Sequence, residues 1–394
     1  MKRVRELVQH NEIGVVYGDG VVVDIELRDR AMLGFSGNLA VKVIGPHPVF
    51  VNGFWLSDRH GVVQLCSTPY EQFKMWIGGD LDTQIRVAIR PEWLLEPLPV
   101  DSRSVGDVSE LRDLLGEATL FFGSELDSVD LIQCPDSWFH VLDDFASTGF
   151  PIAICGARNT GKSTFAKFLT NSLLNSREEV LFIDTDLGQN FLTPPGFVSA
   201  KLVKKPIFGH QVDIASNFSP LSIYIGHISP SSAPLVYLNA LRALQTQLSH
   251  VFDLENLPVV LNTHGWITGL GSQLLEQMLN VFSCSRVVLL EESKSVENSE
   301  FLSFLEESGK QIFRVLSFKN SQTISKDKLT ASNIRQLAYA SYFVGQSLVS
   351  EIDLINLPES CLQTRWRIGF DRLVVYFVTT QVILIIFVIS DSLV

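Results

Sequence analysis

The chain has 394 residues, of which 46% are hydrophobic and 19% are charged. This length allows two or three domains, and the composition excludes a chain that is disordered throughout. The net charge of −12 excludes binding of nucleic acid through a generally basic surface, so any such contact must be local. The five cysteines lie far apart, which argues against a zinc site and a secreted disulfide scaffold. We expect no signal peptide, because no apolar stretch follows the basic N-terminal residues.

Residues 1–95 predict a β-rich domain. Apolar runs at 21–27, 40–44 and 85–89 are separated by turn signals such as Gly18-Asp19-Gly20, a spacing typical of a small sandwich or barrel. Residues 96–132 contain prolines and a short acidic helix candidate at 110–117, and we expect them to form a linker.

Residues 133–345 alternate between strand and helix patterns. Phe139, Leu142 and Phe145 form the expected buried face of the first helix. Such alternation predicts an α/β domain with a doubly wound parallel sheet and a site at the carboxyl ends of its strands. The predicted strands are 151–155, 180–183, 223–225, 258–261, 287–290 and 312–316, and the predicted helices are 137–147, 162–174, 234–248, 273–281 and 299–307.

One segment fits G-x-x-x-x-G-K-[ST], the P-loop pattern of phosphate binding. Glycines let backbone N–H groups turn inward around phosphate, and the following helix presents its positive end to the same anion. We expect Lys162 to reach the β- and γ-phosphates and Ser163 to bind Mg²⁺. The predicted nucleotide-binding set is Gly156, Ala157, Arg158, Asn159, Thr160, Gly161, Lys162, Ser163 and Thr164.

Two aspartates follow the next predicted strand. Asp184 comes directly after the apolar run and Asp186 lies two residues further on. Carboxylates beside a P-loop are suited to hold Mg²⁺ or to accept a proton. The alternative is that both are solvated turn residues.

Polar residues also follow the strand at 258–261. Asn262 and Thr263 are either part of the same crevice or turn residues, and Trp266 is either a base-stacking surface or core filler. His264 is expected to satisfy a local hydrogen bond rather than to bind metal, because no second ligand is suitably spaced. Guanine-binding N-K-x-D and the protein-kinase H-R-D and D-F-G motifs are absent from the sequence.

Taken in order, 156–164, Asp184–Gln189, Thr193–Gly196 and Asn262–Trp266 with Gly269 resemble the polynucleotide 5′-hydroxyl-kinase family. The resemblance is closest to its nucleolar, ribosomal-RNA-processing branch, of the nucleolar protein nine type, and covers roughly 135–345. It implies transfer of the ATP γ-phosphoryl group to the 5′-hydroxyl of RNA with Mg²⁺. It also implies precursor ribosomal RNA ends as substrate, a complex with a nuclease, and a nucleolar location.

The resemblance further implies roles for individual residues. Lys162 and Ser163 would bind nucleotide and Mg²⁺, and Asp186 would activate the hydroxyl. From its own position beside the P-loop, Asp184 is expected to hold Mg²⁺ with Ser163. Gln189, Asn262, Thr263 and Trp266 would hold the substrate.

Members of the family use a mobile lid that carries arginines, often as R-x-x-x-R, and the sequence departs from this pattern. Arg335 falls where the lid is expected, but position 339 is tyrosine, and Arg158 competes for the transition-state role. The alternative function is therefore a non-catalytic scaffold that binds ATP or RNA. Because the chain is acidic, RNA would be held by stacking and a few cations, including Arg335 and the lysines at 201, 204 and 205.

From the resemblance, we expect residues 346–394 to be a divergent or truncated segment. Leu373–Ile389 is almost wholly apolar and slightly shorter than the ~20 residues that cross a bilayer. Three interpretations stay open: a buried or mispaired strand, an aberrant tail and, least favoured, a membrane anchor.

Overall fold

The computed structural model forms two compact units, which are described separately. The first contains residues 1–134 and 206–210, and the second contains residues 135–205 and 211–394. The structure describes residues 14–17, 22–28, 32–67, 75–79, 81–88, 94–95, 102–105, 118–121, 126, 134–145, 151–209, 221–291, 300–317, 330–344, 373–377 and 384–388.

The first unit is a ten-stranded antiparallel sheet in the order β5-β4-β7-β3-β8-β2-β1-β9, with β6 and β10 also pairing with β3. The long strand β3 is central because both of its halves find partners. The bounds are β1 Gly14–Tyr17, β2 Val22–Leu27, β3 Met32–Val43, β4 Val49–Val51, β5 Phe54–Leu56, β6 Val62–Ser67, β7 Met75–Gly78, β8 Thr83–Ala88, β9 Ser102–Val105 and β10 Thr119–Phe121.

The region predicted as a linker, 96–132, supplies two of these strands. β9 pairs with β1 and β10 pairs with β3, both antiparallel. Both strands are short, and their partners lie far away in the sequence, so no local periodicity marks them. The acidic helix candidate at 110–117 lies outside the described residues.

The second unit contains a seven-stranded sheet in the order β14-β13-β12-β15-β11-β16-β17. The five strands from β12 to β17 in this order are parallel, which confirms the predicted P-loop α/β class. The bounds are β11 Ile152–Gly156, β12 Val180–Asp184, β13 Phe197–Val203, β14 Leu221–Tyr224, β15 Val259–Asn262, β16 Arg286–Glu291 and β17 Gln311–Leu316.

At one edge, β13 and β14 continue this sheet in antiparallel pairing. The sequence did not predict β13, whose lysine-containing pattern alternates only weakly. Between these two strands, residues 206–210 belong to the first unit, where the Cys66 N–H donates to the carbonyl of Phe208 at 2.8 Å.

Helices cover the seven-stranded sheet. Alternate strand residues such as Ala153 and Leu181 pack with α4, α5 and α6 in one apolar cluster, whereas Ile152 and Phe182 point to the opposite face. The helix bounds are α1 Asp136–His140, α2 Leu142–Phe145, α3 Lys162–Leu174, α4 Pro234–Val251, α5 Leu270–Val281, α6 Glu300–Glu307 and α7 Ala331–Val344.

The predicted helix at 137–147 is divided into α1 and α2 at Val141. Phe145 is buried as expected, but the prediction for Phe139 is wrong, because its side chain is 41% exposed. Trp138 takes the core position instead, with its ring 4.9 Å from that of Phe165, and its Nε1 donates to the carbonyl of Leu316.

The apolar C-terminal segment forms an antiparallel hairpin of β18, Leu373–Phe377, and β19, Leu384–Val388. The β19 strand lies beside the edge strand β14. Among the residues that the structure describes, no helix combines the length and the apolar character needed to cross a membrane.

Candidate functional site

Three parallel strands end together at one edge of the seven-stranded sheet. In the sheet register, Asn262 of β15 pairs with Ile154 of β11 on one side and with Asp184 of β12 on the other. The P-loop follows β11, so sheet order brings it beside residues that are distant in the sequence. This edge is the candidate site.

The P-loop lies between β11 and α3, the strand and the helix that the motif requires on its two sides. Gly156 has a φ of 151°, and a Cβ there would lie 2.7 Å from the carbonyl of Leu290, so only glycine fits. Thr160 Oγ1 donates to the carbonyl of Ala157 at 2.9 Å, and Ser317 Oγ donates to the carbonyl of Thr160 at 3.0 Å. The loop is therefore fixed from within and from the end of β17.

Lys162 begins α3 and is buried. Its Nζ donates to the carbonyl of Ala157 at 2.8 Å. Burial lowers the pKa of Lys162, and the negative charge of Asp186 opposes that shift. A partly desolvated ammonium group interacts more strongly with a phosphate than a solvated one does.

Asp184 is completely buried at the end of β12. Its Oδ1 accepts from Asp186 N–H and Asn262 Nδ2, both at 3.1 Å, and its Oδ2 accepts from Phe191 N–H at 2.7 Å. Burial raises the pKa of Asp184 to about 7, although these donors favour the carboxylate. Its oxygens are thus engaged by the protein.

Asn262 connects the two halves of the site. Its Nδ2 donates to Ser163 Oγ at 3.2 Å as well as to Asp184. Its buried Oδ1 has no hydrogen-bond partner among the described residues. An amide oxygen next to a serine hydroxyl suits a hard cation. No group of three His, Cys, Asp or Glu side chains that could hold a metal ion occurs within the described ranges.

Asp186 is half-buried and lies in the loop after Asp184. Its Oδ1 accepts from the backbone N–H groups of Gly188 and Gln189, at 2.9 and 3.2 Å. The two aspartates therefore differ in environment, since one is enclosed by protein and the other reaches solvent. Gln189, predicted to bind substrate, lies half-buried in the same turn.

Thr263 and His264 directly follow β15 and are buried. Thr263 Oγ1 donates to the carbonyl of Ile154 at 2.8 Å, and His264 Nδ1 accepts from Trp266 N–H at 3.2 Å. This contact fits the expected local hydrogen bond of His264. Burial, followed by the positive charge of Lys162, lowers the pKa of His264 to about 3.

Trp266 is half-buried beside the start of α5. Its ring covers Gly271, where a Cβ would lie 2.3 Å from the indole Cγ. A Cβ on the preceding Gly265 would lie 2.8 Å from Arg158 Cα and 3.0 Å from Lys162 Nζ. The turn at Gly265 thus contacts the P-loop closely. The roles of Trp266 in packing and in stacking both stay predictions.

Arg335 lies half-buried on α7, one turn before Tyr339. The Tyr339 hydroxyl donates to the carbonyl of Pro195 at 2.9 Å. The tyrosine that replaces the expected second arginine therefore attaches this helix to the Thr193–Gly196 turn. The competing arginine, Arg158, is exposed on the P-loop.

The expectation that nearby lysines help to hold RNA is wrong for Lys204 and Lys205, whereas for Lys201, which pairs with Phe182 within the strand, it stays a prediction. Antiparallel pairing sets Ser199 beside Asp184 but Val203 beside Val180, the first residue of β12. Lys204 and Lys205 follow Val203, and Lys204 forms an ion pair with Glu179 at 3.2 Å. The last two lysines thus lie at the opposite edge of the sheet from the P-loop.

The site has two layers. We call the buried residues Asp184, Asn262, Thr263 and His264 the floor, and the half-buried or exposed residues Arg158, Asp186, Gln189 and Trp266 the rim. Sequence analysis missed Asn190, whose buried Oδ1 accepts from Leu192 N, Thr193 N and Ser199 Oγ and so fixes the loop of the rim. Only its place directly after Gln189 hinted at such a role.

Residues 156–345 match the model of the mRNA cleavage and polyadenylation factor CLP1 P-loop family. This match starts at the glycine that opens the P-loop and ends after α7. It includes every residue of the floor and the rim.

Several curated proteins are similar to part of the chain. The polynucleotide 5′-hydroxyl-kinase nol9 of Dictyostelium discoideum is 32% identical over 175 residues, 41% of this chain and 25% of that protein. NOL9 of Danio rerio is 37% identical over 35% of this chain and 19% of its own length. NOL9 of Arabidopsis thaliana is 34% identical over 39% of this chain and 44% of its own length. The matched part thus spans less than half of each relative.

The fold is also similar to that of a solved structure of the wild-type Clp1p–Pcf11p complex. The TM-score is 0.53 with 14% identity, covering 84% of this chain and 74% of that one. At this identity the likeness concerns the fold.

Proposed function

We propose that the chain is an ATP-dependent polynucleotide 5′-hydroxyl kinase, since residues 156–345 match the model of the CLP1 P-loop family. The observation that carries this proposal is the Asn262 amide, which joins Ser163 of the P-loop to Asp184. It joins the P-loop to a buried carboxylate, and the Oδ1 of that carboxylate also accepts from the backbone N–H of the half-buried Asp186. The names of the relatives support the same activity.

In the proposed reaction, the 5′-oxygen of the polynucleotide attacks the γ-phosphorus of ATP. The bond from that phosphorus to the β,γ-bridging oxygen breaks, and ADP leaves. Lys162 and the P-loop N–H groups stabilise the charge on the transferred group. The buried Lys162 is suited to this because its ammonium group is partly desolvated, while the negative charge of Asp186 favours the charged form and so opposes the lowering of its pKa.

Asp186 takes the proton of the attacking hydroxyl in this proposal. Its Oδ1 is held by Gly188 and Gln189, which leaves Oδ2 as the oxygen that receives the proton. Asp184 is less suited to the role because three N–H groups already donate to its oxygens.

For Mg²⁺, we propose Ser163 Oγ and Asn262 Oδ1 as contacts, with Asp184 orienting the Asn262 amide. The orphaned Oδ1 is the observation that fits a cation. The ion would supply charge neutralisation for the phosphates. Asp184 would thereby affect metal binding through Asn262.

The decisive experiment is transfer of labelled γ-phosphate to an RNA oligonucleotide with a 5′-hydroxyl end, with ATP binding measured alongside. We expect transfer by the wild-type chain and none to the same oligonucleotide with a 5′-phosphate. ATP binding without transfer would favour the non-catalytic scaffold over the kinase.

We propose precursor ribosomal RNA as the substrate and the nucleolus as the location, on the resemblance of the motifs to the nucleolar branch. A 5′-hydroxyl kinase requires a nuclease that leaves such ends, so we propose a nuclease of that kind as partner. Depletion of the chain should then cause ribosomal precursors with 5′-hydroxyl ends to accumulate, which end-specific sequencing would detect. Normal precursor ends after depletion would contradict this assignment.

A further inference from the structure

Tyr224 ends β14 and is 41% exposed. β14 is antiparallel to β13, which is antiparallel to β12, so β14 ends at the same sheet edge as β12. His227 and Ile228 follow Tyr224 and are also exposed. An aromatic ring is therefore exposed to solvent at the edge of the sheet where the P-loop lies.

The Tyr224 ring is fixed from behind. Gly196 has a φ of 94°, and a Cβ there would lie 3.2 Å from the Tyr224 Cε2. A Cβ on Gly226 would lie 3.5 Å from the same ring, and the Phe197 ring centroid is 4.8 Å away. A rigid aromatic surface loses little conformational entropy when a ligand stacks on it.

The surface that holds Tyr224 is joined to the loop of Asp186 on two sides. The Gly196 N–H donates to the carbonyl of Leu187 at 2.8 Å. A Cβ on Gly188 would lie 2.9 Å from the carbonyl oxygen of Ile228. A short single strand whose end lies at Asp186 can therefore reach Tyr224.

A cation completes this surface. Tyr339 donates to the carbonyl of Pro195, next to Gly196. Burial raises the pKa of Tyr339, the neighbouring Tyr224 raises it further, and Arg335 lowers it. Tyr339 thus lies within electrostatic range of both the exposed ring and the guanidinium group.

We propose that Tyr224 stacks a base of the single-stranded polynucleotide behind its 5′ end, while Arg335 faces the phosphate backbone. This inference rests on the proposed function and adds a second contact to it. Base–aromatic stacking tolerates any sequence, and a chain of net charge −12 must hold a polyanion through few local contacts.

The test compares Tyr224→Leu with Tyr224→Phe, which keeps the aromatic face. Each is assayed on a 5′-hydroxyl RNA decamer and on a nucleoside 3′-monophosphate, which is too short to reach the surface. We expect Tyr224→Leu to raise the KM for the decamer by about 5- to 100-fold. The KM values for ATP and for the mononucleotide, and kcat, should stay unchanged, and Tyr224→Phe should behave like the wild type.

A scan of the decamer with abasic nucleotides tests the wild-type protein without any variant. One position should raise the KM in the wild type and have no further effect in Tyr224→Leu. The proposal is overturned by a scan without such a position, by an unchanged KM for the decamer in a folded Tyr224→Leu, or by equal losses on both substrates. An unaffected decamer together with loss of a protein partner would assign the surface to that partner instead.

Fluorescence anisotropy with a labelled single-stranded RNA separates this inference from the proposed function. If the wild type transfers no phosphate, the kinase proposal fails. Weaker RNA binding by Tyr224→Leu than by Tyr224→Phe would still support the stacking surface, and equal binding would overturn it.

Discussion

The floor and the rim of the site lie a few residues apart in sequence but obey different constraints. In the floor, the polar atoms of Asp184 and Thr263 are bonded to other strands or loops of the protein. In the rim, Asp186 is bonded only locally among the contacts described, and Arg158 reaches solvent. Substitutions in the floor should therefore affect stability and metal response, whereas substitutions in the rim should affect rate or substrate affinity alone.

The largest effect is expected for Lys162, which is buried at the start of α3. Its Nζ donates to a carbonyl of its own loop, so Lys162→Ala should leave the melting temperature nearly unchanged. Loss of its charge should abolish measurable phosphate transfer, because the charge that develops on the transferred phosphoryl group would lose its stabilisation. An assay of phosphate transfer measures the loss of activity, and thermal unfolding measures the melting temperature.

Lys205→Ala is the matched control, because Lys205 is exposed and lies at the opposite sheet edge. It should leave both transfer and the KM for RNA unchanged. Near-normal transfer by a folded Lys162→Ala would remove the lysine from the reaction.

The two aspartates allow the floor and the rim to be compared directly, because Asp184 belongs to the floor and Asp186 to the rim. Asp186→Asn should lower kcat by about 10²–10⁴-fold through loss of the base, with ATP affinity and stability retained. Asp184→Asn should instead destabilise the fold by about 1–3 kcal/mol, because an amide NH₂ would face the Phe191 N–H. It should also raise the Mg²⁺ concentration needed for half-maximal activity.

Rate assays, Mg²⁺ titrations and melting curves on both aspartate variants test this division. Equal kinetic losses with identical Mg²⁺ titrations would show that the layers do not differ in this way.

A smaller effect is expected for Trp266 in the rim. Trp266→Leu should raise the KM for RNA by about 5- to 100-fold with little change for ATP, and Trp266→Phe should retain much of the affinity. The salt dependence should be shallow, because few phosphates are contacted. An unchanged KM with a lowered melting temperature would assign Trp266 to packing against Gly271.

The smallest effect concerns the pH dependence of stability within the floor. The pKa of Asp184 is raised to about 7 from 3.8, so its stabilising contribution is complete below about pH 4 and is lost as pH rises through 7. The pKa of His264 is lowered to about 3 from 6.5, so its contribution is complete above pH 6.5 and is lost as pH falls toward 3.

Melting temperatures from pH 4 to 7 should separate the two groups. As pH rises, the melting temperature of the wild type should fall relative to that of Asp184→Asn. Over the same range it should rise relative to that of His264→Asn. Each kcal/mol corresponds to about 2–4 °C in a domain of this size. Parallel curves for all three proteins would mean that neither group titrates abnormally in the fold.

The elements that sequence predicted well are those with local signals. The helix 162–174 has the predicted bounds, because an apolar stripe and a P-loop define it. By contrast, β9 and β13 were missed, since short strands at a sheet margin depend on partners that are remote in the sequence. The antiparallel β13 in turn determines that Lys204 lies away from the site.

The sequence by itself determined the phosphate-binding loop and the identities of the polar residues after three strands. It does so because the P-loop pattern, the apolar runs and the residues that end them are all local. Only the tertiary structure decided that β15 lies between β11 and β12. Asn262 thereby meets Ser163, 99 positions away, and Asp184, 78 positions away. Burial then divides the floor from the rim, because burial depends on the packing of the whole sheet and its helices.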